Sequence, residues 1–119
     1  MKEFMLFIRN EGNPVADLSP EQQQKHVQNV GGFIKKMIDE GKMKAAQPLE
    51  MQGSMLSFEN GGFTDGPFNE TKEVISGYYH ILAKNLNEAI GIAKADPRFK
   101  DGKWRIEVRP IMKVDGINE

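Results

Sequence analysis

The sequence contains no cysteine among its 119 residues. Disulfides, thiolate zinc sites, iron–sulfur clusters and cysteine nucleophiles are therefore excluded, and nothing indicates export to an oxidising compartment. On this ground we expect a cytoplasmic protein.

An excess of charge of one sign is also lacking, because 16 Lys and Arg residues stand against 17 Asp and Glu residues and leave a formal charge of −1. A chain without a strong overall field has little attraction for phosphate backbones or anionic lipid. We therefore expect neither a nucleic acid nor a membrane as partner.

Several motifs of known chemistry are missing. The sequence has no Gly-rich phosphate loop and no nucleophile-elbow serine. Its two histidines, His26 and His80, have no ligand motif around them. We therefore expect no cofactor and no metal. The apolar run at residues 4–8 is too short for a signal peptide.

What is present suits one soluble globular domain. Hydrophobic residues make up 39% of the chain and charged residues 28%, which is too apolar for a disordered chain and too polar for a membrane span. We expect a single domain over residues 1–119, with residues 113–119 as a flexible tail.

The first half of the chain predicts a strand, a helix and a hairpin. Residues 4–8 are continuously apolar, which is typical of a strand buried on both faces. Ser19, Pro20 and Gln22 form a capping-box pattern that begins a helix, and Gly41 ends it. The predicted buried stripe of this helix comprises Val27, Val30, Ile34, Met37 and Ile38.

Gly31 and Gly32 are unusual inside a helix, since each costs about 1 kcal/mol relative to Ala. Either a sheet or a partner chain approaches closely there, or the helix is locally weak. Further on, residues 43–49 and 54–58 have strand character and flank Gln52-Gly53, which predicts a hairpin. Residues 60–69 are rich in turn formers and predict an ordered loop folded back on the body.

The second half predicts a strand, a helix and a strand. Residues 73–84 have large side chains at even and odd positions, so both faces of this strand should be covered. Asn85 caps a helix that ends at Asp96-Pro97. In the last strand, apolar residues alternate with Arg105, Glu107 and Arg109, which indicates one buried and one charged face.

This order predicts an α+β fold, a ferredoxin-like βαββαβ unit with an added hairpin strand. Two helices would cover one face of an antiparallel sheet. Because the two central strands also carry apolar residues on the opposite side, we expect a second copy of the chain to cover that face, giving a homodimer.

Four segments resemble the signature blocks of the YCII-related proteins, specifically the DGPF-domain branch. They are Thr64-Asp65-Gly66-Pro67-Phe68, Thr71-Lys72-Glu73, Gly77-Tyr78-Tyr79 and Glu107-Val108-Arg109-Pro110. The resemblance extends over nearly the whole chain and implies a dimeric α+β barrel. Some branches of this family are proposed to be small enzymes with a His–Asp pair in a cleft. Genes of the DGPF type often lie beside those of extracytoplasmic-function sigma factors, which makes a sigma factor a partner by family analogy only.

The sequence departs from the family pattern in the first helix. Many relatives carry a His three residues before an aromatic, and alignment on Phe33 places that position at Val30. His26 lies one helical turn earlier, so whether it replaces the family histidine is open.

Six residues are candidates for the site. We predict Asp65, His26 and His80 as catalytic residues, and Lys72, Tyr79 and Arg109 as ligand-binding residues. Five of them have a structural alternative: Asp65 caps its turn, either histidine is a hydrogen-bonded packing residue, Lys72 forms a solvated pair with Glu73, and Arg109 belongs to a salt-bridge ladder.

Two functions follow from these candidates. The first is a small homodimer that binds a small polar or anionic organic molecule in a cleft near the Asp65 loop, as a cofactor-free enzyme of proton transfer, isomerisation or elimination. The second is a non-catalytic ligand-sensing or protein-interaction module.

Overall fold

The computed structural model describes residues 1–67 and 73–119 as an α+β fold. The elements are β1 (Lys2–Glu11), α1 (Pro20–Asp39), β2 (Met43–Pro48), β3 (Ser54–Glu59), β4 (Gly62–Pro67), β5 (Glu73–Ala83), α2 (Leu86–Lys94) and β6 (Arg105–Pro110). A 3₁₀ helix, Pro97–Asp101, follows α2. Four strands form an antiparallel sheet in the order β2-β5-β1-β6, and β3 and β4 form a separate two-stranded sheet.

The core lies between the sheet and the two helices, as the sequence predicts. Alternate side chains of β1, from Phe4 to Ile8, are fully buried and pack with side chains from both helices, such as Met37 and Ile92. The fold is therefore consistent with a ferredoxin-like α+β unit.

The opposite side of the sheet, here called the open face, is only partly covered by the chain itself. Met5 and Phe7 of β1 are half-buried there rather than fully buried. The expected cover by a second copy stays a prediction. The open face comprises Glu3, Met5, Phe7, Arg9, Tyr78, His80, Leu82, Arg105, Glu107 and Arg109.

The predicted capping box of α1 is confirmed. The backbone N–H of Gln22 donates to the Ser19 hydroxyl, and the Ser19 N–H donates to the Gln22 side chain. The predicted buried stripe is only partly right, because Val30 and Met37 are buried whereas Val27 is 66% exposed. Val27 borders a cavity beneath the first half of the helix, so that half does not pack tightly on the sheet.

The predicted hairpin at Gln52-Gly53 is wrong. β2 pairs with β5, and β3 pairs with β4 across an Asn60-Gly61 turn whose φ angles are 51° and 78°. Two consecutive residues with positive φ are the signature of the hairpin turn that matches strand twist.

The predicted loop at residues 60–69 is consequently a turn and a strand as far as residue 67, and residues 68 and 69 lie outside the described ranges. Phe63 is 79% exposed, so this segment does not fold back on the body at that position. We refer to the β3–β4 hairpin, residues 54–67, as the arm.

The long strand predicted at residues 73–84 is confirmed as β5. It carries a register shift opposite Ile8 and Arg9, next to Gly77. A Cβ at Gly77 would lie 2.9 Å from the carbonyl oxygen of Gln47 in β2, so the close approach of these two backbones requires glycine.

The last residues form a turn, in which the Asn118 side chain donates to the Met112 carbonyl and accepts from the Val114 N–H. The flexibility predicted for residues 113–119 stays a prediction. Across the described ranges, neither helix combines the length and apolar character needed to cross a bilayer.

Candidate functional site

A cavity of about 390 Å³ lies between α1 and the helix-facing side of the sheet. Its walls are mostly apolar, with Ile8 from β1 and Val30 and Ile34 from α1. Gly31 also borders the cavity, and a Cβ placed on it would meet nothing within 4 Å. The volume and the apolar walls are those of a small-molecule pocket.

A buried network of Tyr79, Asp96 and Arg98 forms one part of the wall. The Tyr79 hydroxyl donates to Asp96 Oδ2 at 2.9 Å, and Arg98 Nη1 donates both to the same carboxylate oxygen at 3.1 Å and to the Tyr79 oxygen. The other oxygen of Asp96 accepts the Arg98 backbone N–H at 2.8 Å, where Asp96 caps the 3₁₀ helix. These bonds fix the Arg98 guanidinium in position.

The ionisation of this network follows from its burial. The Asp96 side chain is fully inaccessible to solvent, and it pairs with Arg98, whose side chain is 13% exposed. Burial raises the pKa of the Tyr79 phenol, so the hydroxyl stays protonated and acts as a donor. The charges of Asp96 and Arg98 compensate each other, and the network brings little net charge to the pocket.

His26 lies beside this network on the first half of α1. Its ring stacks on Trp104, with the ring centres 5.7 Å apart and the planes 14° from parallel, and the Arg98 guanidinium carbon lies 5.2 Å from the Trp104 ring centre. Trp104 is itself held by a 3.1 Å hydrogen bond from its indole N–H to Asp101.

The environment of His26 favours its neutral form. Burial lowers the pKa of His26 and the charge of Arg98 lowers it further, against a smaller opposing effect of Asp101 and Asp96. At neutral pH the imidazole is therefore uncharged and can accept a proton.

Two buried polar atoms next to the cavity have no partner within residues 1–67 and 73–119. They are the side-chain oxygen of Asn10 and Nε of Arg98. The Asn10 amide nitrogen donates to the Gly12 carbonyl at 2.7 Å, which fixes the side chain. An unpaired buried polar group lowers the stability of the folded state by about 1–3 kcal/mol. This part of the cavity wall is therefore not optimised for stability alone.

Of the predicted site residues, the structure brings His26 and Tyr79 together. Asp65 lies on the arm, where the Ser54 hydroxyl donates to it, and it is not among the described residues that line the cavity. Arg109 lies on the open face, 3.8 Å from Glu107. Lys72 lies outside the described residues.

His80 also lies on the open face, away from His26. Its Nε2 is 2.7 Å from Glu3 Oε1, and Glu3 in addition contacts Lys44 at 3.1 Å and Lys113. Lys113, Lys44 and His80 together lower the pKa of Glu3 to about 2. His80 is therefore one member of a surface charge cluster.

The sequence prediction did not include Asn10, Arg98 and Trp104 of the pocket wall, nor Asp96, which holds Arg98. Asp96 has a sequence signal only as the end of α2, and Trp104 only as part of an alternating strand. The described residues include no group of three or more His, Cys, Asp or Glu side chains arranged to hold a metal ion.

Known proteins resemble this chain over most of its length. The profile of the YCII-related domain matches residues 2–115. An uncharacterized protein of Rhizobium meliloti (strain 1021) is 26% identical over 112 residues, which cover 91% of this chain and 90% of the relative. The similarity therefore extends through the pocket, the arm and the sheet.

Proposed function

Because the chain belongs to the YCII-related domain family, we propose that it binds a small organic molecule in the pocket beneath α1 and that His26 exchanges a proton with that molecule. The single observation that carries this proposal is the placement of His26, a neutral imidazole stacked on Trp104 beside the Arg98 network. A general base needs a pKa near or below the operating pH and a position next to the bound molecule.

The pocket also supports a ligand class. Its mostly apolar walls favour a compact molecule whose body is apolar, and its few polar groups favour one oxygen-bearing group at the end near Tyr79 and Arg98. Since Asp96 compensates the Arg98 charge, the site suits a carbonyl, hydroxyl or single carboxylate better than a multiply charged anion.

The proposed reaction is a cofactor-free proton transfer, of which isomerisation and elimination are the two variants. His26 removes a proton from the bound molecule and returns it to a second atom or to the leaving group. Arg98, held by Asp96 and Tyr79, lies where it can stabilise a developing negative charge on the ligand oxygen. Among the described residues, neither histidine is hydrogen-bonded to an aspartate, as in the His–Asp pair proposed for some branches of the family. The proposed base is therefore His26 without an aspartate partner.

A non-catalytic ligand sensor is the alternative, and it uses the same pocket. A sigma factor as its partner rests on the family resemblance alone. The two functions differ in turnover, since a sensor binds its ligand and releases it unchanged.

The first test is a thermal-shift screen against organic acids, lactones, phenols and phosphorylated metabolites. A ligand at about 100 times its Kd stabilises the protein by roughly 2.7 kcal/mol, which raises Tm by several degrees. Each hit is then incubated with the protein, and substrate and product are quantified.

Variants locate the site. Gly31→Leu should abolish the shift, because its side chain enters the cavity, whereas Gly32→Leu, the neighbouring glycine outside the lining, should preserve it. His26→Gln should remove turnover while retaining binding, and His80→Gln should retain both. A shift that survives Gly31→Leu, or a turnover that depends on His80 and not on His26, would refute the proposed pocket.

A further inference from the structure

The wall of the cavity beneath α1 holds one unpaired acceptor and one unpaired donor. Asn10 borders the cavity and is 1% exposed, and its side-chain Oδ1 has no hydrogen-bond partner within residues 1–67 and 73–119. Arg98 also borders the cavity, and its Nε–H is buried without a partner in the same two ranges. Buried polar groups are almost always paired, so two such atoms on one wall indicate that a molecule in the cavity pairs with them.

The chemistry of its neighbour fixes the orientation of the Asn10 amide. The amide atom that lies 2.7 Å from the Gly12 carbonyl oxygen must be the nitrogen, because a carbonyl oxygen accepts hydrogen bonds and cannot donate them. The remaining amide atom is therefore the oxygen, which can only accept. A group that binds it must be a donor.

The Arg98 guanidinium is held in one orientation as well. Its Nη1 donates to Asp96 Oδ2 at 3.1 Å and to the Tyr79 hydroxyl, so these two contacts use both N–H groups of that nitrogen. The Nε–H belongs to the same planar group and cannot turn away without breaking those bonds. A group that binds Nε–H must be an acceptor.

Both unpaired atoms lie at the same end of the cavity. β1 and β6 pair as far as Arg9 and Arg105, so the next residues, Asn10 and Trp104, lie together at that end of the two strands. The guanidinium carbon of Arg98 is 5.2 Å from the Trp104 ring centre. A ligand that reaches both atoms therefore carries its donor and its acceptor close together, and the rest of the ligand contacts the apolar wall.

A hydroxyl and a carbonyl group match this pair of atoms. A hydroxyl brings one donor for the one free acceptor, whereas an ammonium group brings three donors and would leave two of them buried and unpaired. A carbonyl oxygen accepts from Nε–H and adds no charge beside a guanidinium that Asp96 already neutralises. The two groups lie on adjacent carbons of one apolar molecule.

We propose that the ligand of this pocket is a compact α-hydroxy ketone or α-hydroxy aldehyde, whose hydroxyl donates to Asn10 Oδ1 and whose carbonyl oxygen accepts from Arg98 Nε. This inference rests on the proposed function, because it names the class of molecule that the pocket binds. The same class suits a proton transfer, since the hydrogen on the carbon next to a carbonyl is the one that a base such as His26 removes. Asn10 then distinguishes a hydroxylated ligand from its deoxy analogue.

Four neutral phenyl compounds test both hydrogen bonds in the unmodified protein. α-Hydroxyacetophenone carries both groups, propiophenone has a methyl group in place of the hydroxyl, α-methoxyacetophenone lacks only the hydroxyl proton, and phenethyl alcohol lacks the carbonyl. By isothermal titration calorimetry, propiophenone and α-methoxyacetophenone should bind about fivefold more weakly than α-hydroxyacetophenone. Phenethyl alcohol should bind at least about tenfold more weakly, because the hydrogen bond that it loses comes from a charged donor.

A matched pair of substitutions assigns the hydroxyl contact to Asn10. Asn10→Leu keeps the branched shape of the side chain and removes the acceptor, so this variant should bind α-hydroxyacetophenone and propiophenone equally. Asn13→Leu makes the same exchange at another residue of the cavity wall, whose Oδ1 already accepts the Val15 N–H at 3.1 Å. This control should keep the fivefold preference. Circular dichroism shows whether each variant is folded, and the ligand series in the unmodified protein depends on neither variant.

The Arg98 contact has a spectroscopic test in the unmodified protein. The Nε–H proton signal of Arg98, assigned in the ¹⁵N-labelled protein by its loss in Arg98→Lys, should move downfield when α-hydroxyacetophenone or propiophenone binds. Phenethyl alcohol, which has no carbonyl to accept this hydrogen bond, should leave the signal in place.

Equal affinity of the unmodified protein for α-hydroxyacetophenone and propiophenone would overturn the proposal, because Asn10 would then make no contact with the hydroxyl. A preference that survives in Asn10→Leu, an Arg98 signal that neither ketone moves, or no binding of α-hydroxyacetophenone up to its solubility limit would also overturn it. The proposed pocket is tested separately, by the effect of Gly31→Leu on the hits of the ligand screen. A ligand of another class that Gly31→Leu excludes would refute this inference and leave the pocket standing.

Discussion

Replacing the two adjacent glycines of α1 with alanine should stabilise the protein. Gly31 and Gly32 lie in the middle of a 20-residue helix, and a Cβ on either would meet nothing within 4 Å. The structure therefore favours a locally weak helix over close packing within the chain. Each Gly→Ala change in a helix interior should raise the free energy of unfolding by about 1 kcal/mol.

The two gains should add to about 2 kcal/mol, because the new methyl groups share no contact. For a domain of this size that corresponds to a rise in Tm of roughly 8 °C for the double variant and half of it for each single variant. Differential scanning calorimetry at one fixed protein concentration measures this. Fixed concentration matters because self-association shifts Tm by mass action.

A fall in Tm for either variant would refute the reasoning. If Gly32→Ala lowered Tm and weakened dimerisation, the glycine would lie against a partner chain. The same variants separate stability from binding: Gly31→Ala narrows the cavity and should weaken ligand binding, while Gly32→Ala should not.

Three further predictions concern the sheet, the buried network and the titrating groups. Gly77→Ala should lower the free energy of unfolding in urea by about 1–3 kcal/mol, because its Cβ would lie 2.9 Å from the Gln47 carbonyl oxygen; unchanged stability would contradict this close approach. Asp96→Ala should lower the free energy of unfolding by about 3–5 kcal/mol in the same assay, since it leaves the largely buried Arg98 guanidinium without its carboxylate partner. Asp115→Ala, at an exposed position, is the comparison. NMR titration should give His26 a pKa below its usual 6.5. Because the folded state favours the neutral imidazole, this residue contributes stability above pH 6.5, and that contribution is lost as the pH falls through the folded pKa. The His26→Gln variant should not show this loss.

Local signals in the sequence were sufficient for the elements that depend on neighbouring residues. The capping box at Ser19 and the Asn85 cap begin α1 and α2 at the predicted residues, because a cap bonds to groups two or three positions away. Alternation in β6 likewise predicted which residues face the core. These features need no information from distant parts of the chain.

The pairing of β2 was not predictable in the same way. Its partner is β5, some thirty residues later, whereas the nearby Gln52-Gly53 suggested a local hairpin. The Asn60-Gly61 turn carried a stronger signal, since Asn and Gly both tolerate positive φ, and it correctly marks the arm. This rule ranks the two competing turns, but it does not identify the strand with which β2 pairs.

The pocket depends on long-range packing for the same reason. Asp96 and Arg98 are two positions apart, but Tyr79 lies 17 positions before Asp96, so the network forms only when β5 and the segment after α2 meet. The buried state of Asp96 cannot be deduced from composition, because carboxylates are usually exposed. His26 was identified as a candidate, but its stacking on Trp104 joins residues far apart in the chain.

The sheet separates the pocket from the charge cluster on the open face. Side chains alternate across a strand, so Tyr79 of β5 faces the pocket while its neighbour His80 faces the open face. A substitution at His80 should therefore change the charge cluster around Glu3 without changing the ligand site, and one at Tyr79 should change the ligand site without changing the cluster. Lowering the pH from 4.5 toward the Glu3 pKa of about 2 removes the charge that holds Lys44 and Lys113, so that contribution to stability is lost over this interval. If Lys113→Ala changed this acid sensitivity but altered ligand binding as well, the two faces would be coupled through β1 and β5 and the separation would be wrong.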